Sequence, residues 1–315
     1  MQGLQSPCFA KGKRGKTMVK NIRQTTEKTM RTFFFCIATA SVAILFMIMV
    51  FLFMEGLPVF KVVSVKDFIF GKYWYPTSDP ADFGIFPLIA ASLYVTLLSS
   101  LIAIPLGVMT AVYLAELASK RVAEIVKPVV ELLAALPSVV IGFFGMVIMA
   151  PFLQKTFGIP TGLNLFNAAL MLAFMSIPTI CSLSEDAIYS VPVGLKEGSL
   201  ALGATHWETI IRVVLPASVS GISTAVILGM SRAIGETMVV LMVAGGAAMI
   251  PGSIFDPVRP LPASIAAEMA EAPFRGDHYY ALFATGIVLF VFTLIFNIVA
   301  DFLSHRYRQV GEASL

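Results

Sequence analysis

Charge is what this sequence has least of. Only 13% of its 315 residues are Asp, Glu, Lys or Arg, against about 25% in a soluble globular domain. With 57% hydrophobic residues and a mean hydropathy of +0.86, this excludes an ordinary water-soluble fold and predicts several membrane crossings. Cysteine is scarce as well. Cys8, Cys36 and Cys181 are scattered, odd in number and form no CxxC, so they read as free thiols rather than a disulfide framework. His206, His278 and His305 lie far apart, with no HExxH or HxxxH context, and a metal site is not expected. GxSxG and a span-borne pair of aspartates are also missing, which argues against an intramembrane enzyme. No internal repeat is evident, which disfavours a secondary transporter or channel. The net charge of +3 by itself says little, and no nucleic-acid partner is expected.

Long apolar runs are what the chain does have. Residues 32–54, TFFFCIATASVAILFMIMVFLFM, contain no charge and span about 30 Å of hydrocarbon as a helix. The run is too long for a signal-peptide core and no small-residue cleavage site follows, so a retained first helix is expected. Further apolar segments near 84–115, 132–153, 163–183, 217–250 and 280–300 bring the total to six spans. The fifth, at roughly 50 Å if straight, must tilt, bend, break or protrude. The organisation expected is a basic segment 1–31, the first helix 32–54, an outer loop 55–83, a five-helix core 84–300 holding a long inner loop 184–216, and a tail 301–315.

Lys and Arg set the orientation. Fifteen fall in segments 1–31, 116–127, 184–216 and 301–315, and six in 55–83, 154–162 and 251–279. This bias predicts both termini in the cytoplasm. The basic N-terminus suits anionic membrane lipid. Its AKGKRGKT (10–17) mimics a phosphate-binding loop, but Ala10 replaces the first glycine, so nucleotide is not expected there. In the outer loop, Tyr73, Trp74 and Tyr75 suit interfacial anchoring. Residues 257–273 suggest a short outer helix, Ala263–Ala272.

The inner loop is long enough to have a task. Residues 195–202 can form a short helix. Gly203 permits the positive φ that ends one helix and starts another. Thr205, with Glu208 three positions on, makes a capping box. Pro216 can then begin the fifth span. The result is a knob of two short helices, either docked to a cytoplasmic partner or lying at the interface without one.

The spacing of Glu197, Gly203, Leu215 and Pro216 resembles the EAA loop of bacterial ABC-importer permeases, with Gly198 and Ser199 in place of two alanines and Val213 in the usual isoleucine place. Beyond the loop, ELLAALPSVVIGFFG (131–145), IPTICSLSEDAIYSVP (177–192), ALGATHWETIIRVVLP (201–216) and SRAIGETMVVLMVAGG (231–246) are similar to the PstC-type permease family of bacterial phosphate importers. The resemblance covers roughly residues 70–300. One departure is Ala91-Ser92-Leu93, where related chains have Gly-Thr-Leu, which bears on a close helix contact.

The resemblance implies an all-α membrane protein of six transmembrane helices, with the type I ABC-importer permease fold and cytoplasmic coupling helices, in the bacterial inner membrane. It implies that the chain is not an enzyme and carries no cofactor. ATP and magnesium would belong to a PstB-type ATPase dimer beneath, coupled through Glu197, Gly203, Ala204, Thr205, His206, Trp207, Glu208, Leu215 and Pro216. A PstA-type second permease and a PstS-type periplasmic phosphate-binding protein would complete the assembly. Sulfate, molybdate and phosphonate importers are the nearest alternatives.

Arg232 and Glu236 are the only charges between Val213 and Ile254. A charge near mid-bilayer costs about 2.5–3.5 kcal/mol on insertion scales, so each needs a partner or a wet path. At i and i+4 of one helix they would share a face. Either they form a helix-linking ion pair, or Arg232 lies on an anion path with Glu236 holding its fork. The resemblance favours a role for both through RAIGE. Gly235 between them allows a bend or close packing. Pro137-Ser138 and Pro178 interrupt backbone bonding in the third and fourth spans, as kinks or as broken helices around a transport site.

Overall fold

The computed structural model describes residues 8–312, and side-chain surroundings for 27–299 and 302. Expectations touching residues 1–7 and 313–315 lie outside the described residues. The chain divides into two compact units at Met54–Glu55. The first is almost wholly the long helix α1 (Cys8–Gly56), within which the AKGKRGKT run falls. Phe33, Phe34, Phe35, Leu45 and Phe46 are all exposed on it. A helix that is apolar on every side is a helix for lipid or for another chain.

In the second unit a helical turn (Leu57–Lys61) and α2 (Val65–Phe70) lead to two short antiparallel strands, β1 (Trp74–Tyr75) and β2 (Asp82–Phe83). There follow α3 (Phe86–Val112), α4 (Lys120–Ala134), α5 (Ser138–Phe144), α6 (Ala150–Phe157), α7 (Leu165–Tyr189), α8 (Val193–Ala201), α9 (His206–Thr209), α10 (Leu215–Ile234), α11 (Met238–Val243), α12 (Leu261–Glu268) and α13 (Asp277–Glu312). The hairpin is a minor exception to an all-α architecture.

Six helical stretches among the described residues are long and apolar enough to cross a membrane: Glu27–Lys61, Phe86–Leu117, Ser138–Phe157, Leu165–Tyr189, His206–Ile234 and Asp277–Val299. Three spans differ from the sequence expectation. The third span begins at Ser138, because Pro137 holds an extended backbone and ends the preceding helix. Residues 132–134 belong instead to α4, a helix the sequence reading placed partly in a loop. The fourth span continues to Tyr189, well into the segment read as loop. The fifth starts at His206 rather than Pro216 and stops at Ile234.

Proline explains the fifth span. Residues Ile210–Val214 form a π-turn, with Leu215 N–H donating to Ile210 O. The wider turn admits Pro216 without ending the helix, since the missing N–H falls where the ladder has already shifted register. The same device recurs in the third span, where the π-turn Gly145–Met149 comes two residues before Pro151.

α7 is the most enclosed span, packed between α3 and α10. Its Ile180 is fully buried against glycines of both neighbours. A β-carbon at Gly107 of α3 would lie 2.9 Å from Ile180 Cβ, and one at Gly229 of α10 would lie 2.5 Å from Ile180 Cγ1. Only glycine allows both approaches. The Ala91 departure does not loosen α3: Ala91 is fully buried, and Ser92 Oγ accepts from Leu261 N–H at 2.9 Å while donating to Leu88 O at 3.0 Å.

Candidate transport path and elbow

Arg232 and Glu236 do not form the pair expected of them. α10 ends at Ile234, and Gly235 takes φ −88° and ψ 1°, outside the helix. Glu236 therefore leaves the face that carries Arg232, and the i,i+4 geometry is lost. Arg232 is exposed in the single chain, and its Nη1 donates to Thr179 Oγ1 of α7 at 3.2 Å. Among the described residues no carboxylate lies within ion-pair distance of it. Glu236 instead turns toward α11, where Oε1 accepts from Val239 N–H at 3.3 Å. It also faces a small cavity lined by Ser92, Thr96, Pro260 and Pro262. Gly235 marks the break rather than a close contact, since a side chain there would meet open space. Pro178 is buried inside an unbroken α7, so it neither ends nor divides that span.

The turn and cap of the elbow form as the spacing predicts, but its second short helix runs on into the fifth span. α8 ends near Gly203, which adopts φ +88°, a conformation that side-chain-bearing residues rarely take. Thr205 then caps α9. Glu208 N–H donates to Thr205 Oγ1 at 3.2 Å, and Thr205 N–H donates to Glu208 Oε2 at 2.9 Å. Ser199 and Thr209 join the two short helices through their hydroxyls, 3.0 Å apart. Outside this brace, Glu197, His206 and Glu208 are exposed and Ala204 is half-buried. Leu200, Leu202 and Trp207 are exposed too, Leu202 to 91%. Apolar side chains this exposed suit contact with another chain or with the membrane interface.

Two ion pairs tie the elbow's surroundings together. Lys196 of α8 pairs with Glu116, in the π-turn that ends the second span. Lys127 of α4 reaches the buried Glu185 of α7 at 3.3 Å. Burial lowers the pKa of Lys127, but the charge and hydrogen bond of Glu185 outweigh it and hold the ammonium above the ordinary lysine value.

The family of inner membrane components of binding-protein-dependent transport systems matches residues 103–309. The chain belongs to this family. Over 288 residues it is 38% identical to the probable ABC transporter permease protein YqgH of Bacillus subtilis, covering 91% of this chain and 93% of that one. It is 36% identical over 259 residues to the phosphate transport system permease protein PstC of Mesorhizobium japonicum, covering 76% and 78%. Among solved structures, a permease chain of the bacterial alginate ABC transporter aligns with a TM-score of 0.62 at 18% identity, covering 89% of this chain and 96% of that one. A chain of the MetNI methionine ABC transporter gives 0.54 at 20% identity, covering 71% and 94%. The fold is that of a type I ABC-importer permease.

In this permease one cluster escaped sequence reasoning. Trp74, expected at the membrane interface, is 2% exposed. Its Nε1 donates to Glu268 Oε1 and Oε2 at 3.1 and 3.0 Å. Glu268 also pairs with Arg259 and lies 2.9 Å from His278 Nε2. Arg259 Nε donates in turn to Gly246 O at 2.6 Å. One carboxylate thus joins the outer hairpin, α12 and the start of α13. Tyr73 and Tyr75 remain exposed and stacked, so only these two fit the interfacial role. The outer helix itself runs Leu261–Glu268 rather than Ala263–Ala272.

Proposed function

We propose that this permease forms half of the path of an ATP-driven phosphate importer. The phosphate assignment draws on the PstC relatives. The observation that carries it in the molecule is Arg232. A guanidinium inside a run otherwise free of charge except Glu236 requires a counter-charge or water, and its neighbour is a neutral hydroxyl. A tetrahedral oxyanion supplies the missing negative charge in a geometry that the planar fork matches. Glu236, beyond the break, keeps a carboxylate near the same segment. Its repulsion limits how long an anion stays, as transport demands.

In this reading a PstA-type permease supplies the other half of the path. A PstS-type protein delivers phosphate from the periplasm, and both termini of this chain face the cytoplasm. A PstB-type ATPase dimer, holding ATP and magnesium, docks on the elbow 193–209. Exposed Leu200, Leu202 and Trp207 provide grip, and the capping box and the Ser199–Thr209 contact make the elbow stiff enough to pass on the motor's closure. The decisive experiment is uptake of labelled phosphate by proteoliposomes holding the whole complex. ATP and the binding protein should both be required, with sulfate a poor competitor. Uptake without ATP, or equal competition by sulfate, would overturn the assignment.

A further inference from the structure

Several threonines within helices bond in a way that Thr179 does not. Thr39, Thr110, Thr224, Thr285 and Thr293 each donate their hydroxyl proton to the carbonyl four residues back, the usual way to satisfy such a group in a helix. Among the described residues Thr179 makes no such bond. Its Oγ1 accepts from Arg232 Nη1, and its own proton is left for another acceptor. Thr179 is half-buried. It sits one residue before Ile180, on which Gly229 closes, and Arg232 stands three positions after Gly229. The close approach of α10 to α7 at Gly229 thus lies beside the contact between the guanidinium and this hydroxyl.

We propose that Thr179 is a second ligand of the transported oxyanion, a residue of α7 that acts with Arg232 of α10. The inference rests on the reading of Arg232 given above. Two donors converge: the guanidinium N–H groups and the free O–H held beside them. An anion oxygen within about 3 Å of both receives two hydrogen bonds, one of them charge-assisted. The Arg232 bond occupies a lone pair of Thr179 and so orients the O–H, which is ready before the anion arrives. Because the contact bridges two helices, movement of α10 against α7 separates the donors and releases the anion.

The test uses the complete importer in proteoliposomes with its binding protein. Thr179→Val keeps the shape and removes both donor and acceptor, whereas Thr179→Ser keeps them. Thr179→Val should lower the maximal rate of phosphate uptake about ten-fold, the scale of one hydrogen bond to a charged group. Half-saturation should stay unchanged, because it is set where the binding protein loads. Thr179→Ser should restore the rate. Wild-type transport by Thr179→Val would overturn the proposal, as would equal impairment in Thr179→Ser, since a packing role would explain that. Arg232→Ala is measured in parallel. If that complex assembles and transports at the wild-type rate, the reading of Arg232 falls and the Thr179 proposal falls with it. If Arg232→Ala is inactive while Thr179→Val is normal, only the Thr179 proposal is lost.

Discussion

Trp74 donates its indole N–H to both oxygens of Glu268, 194 positions further along the chain. The bond closes the outer hairpin onto α12, and Arg259 and His278 complete the shell around the carboxylate. Removing that carboxylate leaves buried donors without an acceptor, which costs more than the bonds' net worth. Glu268→Ala should destabilise the detergent-solubilised permease by about 2–4 kcal/mol, and Trp74→Phe by about 1–2 kcal/mol. Thermal unfolding monitored by thiol labelling of buried Cys181 provides the measurement. An unshifted transition for both variants would show that the cluster does not hold the outer face.

A larger residue at position 229 should force α10 away from α7. The β-carbon of Gly229→Ala meets Ile180 Cγ1 at 2.5 Å, an overpacking of about 1–3 kcal/mol. Ile180→Val in the same chain should recover part of the loss. A double-mutant cycle on complex yield tests this, and strict additivity would contradict direct contact.

Arg232→Ala and Arg232→Glu should abolish phosphate uptake while the complex still assembles. Because Arg232 has no carboxylate partner among the described residues, its loss strands no buried charge, and assembly should survive. Size-exclusion profiles beside uptake rates provide the check. Collapse of assembly would instead assign the arginine a structural task.

Changes in the elbow should separate ATP hydrolysis from transport. Thr205→Ala removes a capping box, a loss of about 1 kcal/mol, and Gly203→Val strains a position at φ +88°. Both should raise the ATP consumed per phosphate moved, and Gly203→Val more so. An unchanged ratio in both would argue against transmission through residues 193–209.

Much of the fold was legible because hydropathy and capping are local. Twenty apolar residues form a span wherever they occur, and Thr205 finds Glu208 because three residues separate them. The RAIGE segment was misread for the converse reason. Sharing a face at i and i+4 presumes an unbroken helix, and Gly235 was open to a bend or to close packing without saying which. The chain turns there because the segment beyond it is committed elsewhere. Val258 N–H donates to Ala244 O at 2.8 Å, and Gly246 N–H donates to Val258 O at 3.1 Å, folding the second half of the run back along 258–261. Trp74 was misplaced likewise, since an indole beside two tyrosines reads as interfacial until its distant acceptor is known.

The amino-acid sequence by itself determined that this chain lives in a membrane, that it crosses six times, and that a glycine-hinged, capped elbow interrupts the crossings. Each of these follows from the solvation and geometry of near neighbours. Only the tertiary structure decided which distant groups meet: Arg232 with Thr179 rather than Glu236, Glu268 with Trp74, and Ile180 with two glycines. Those pairings join residues far apart in sequence, and packing alone decides which partner comes within reach.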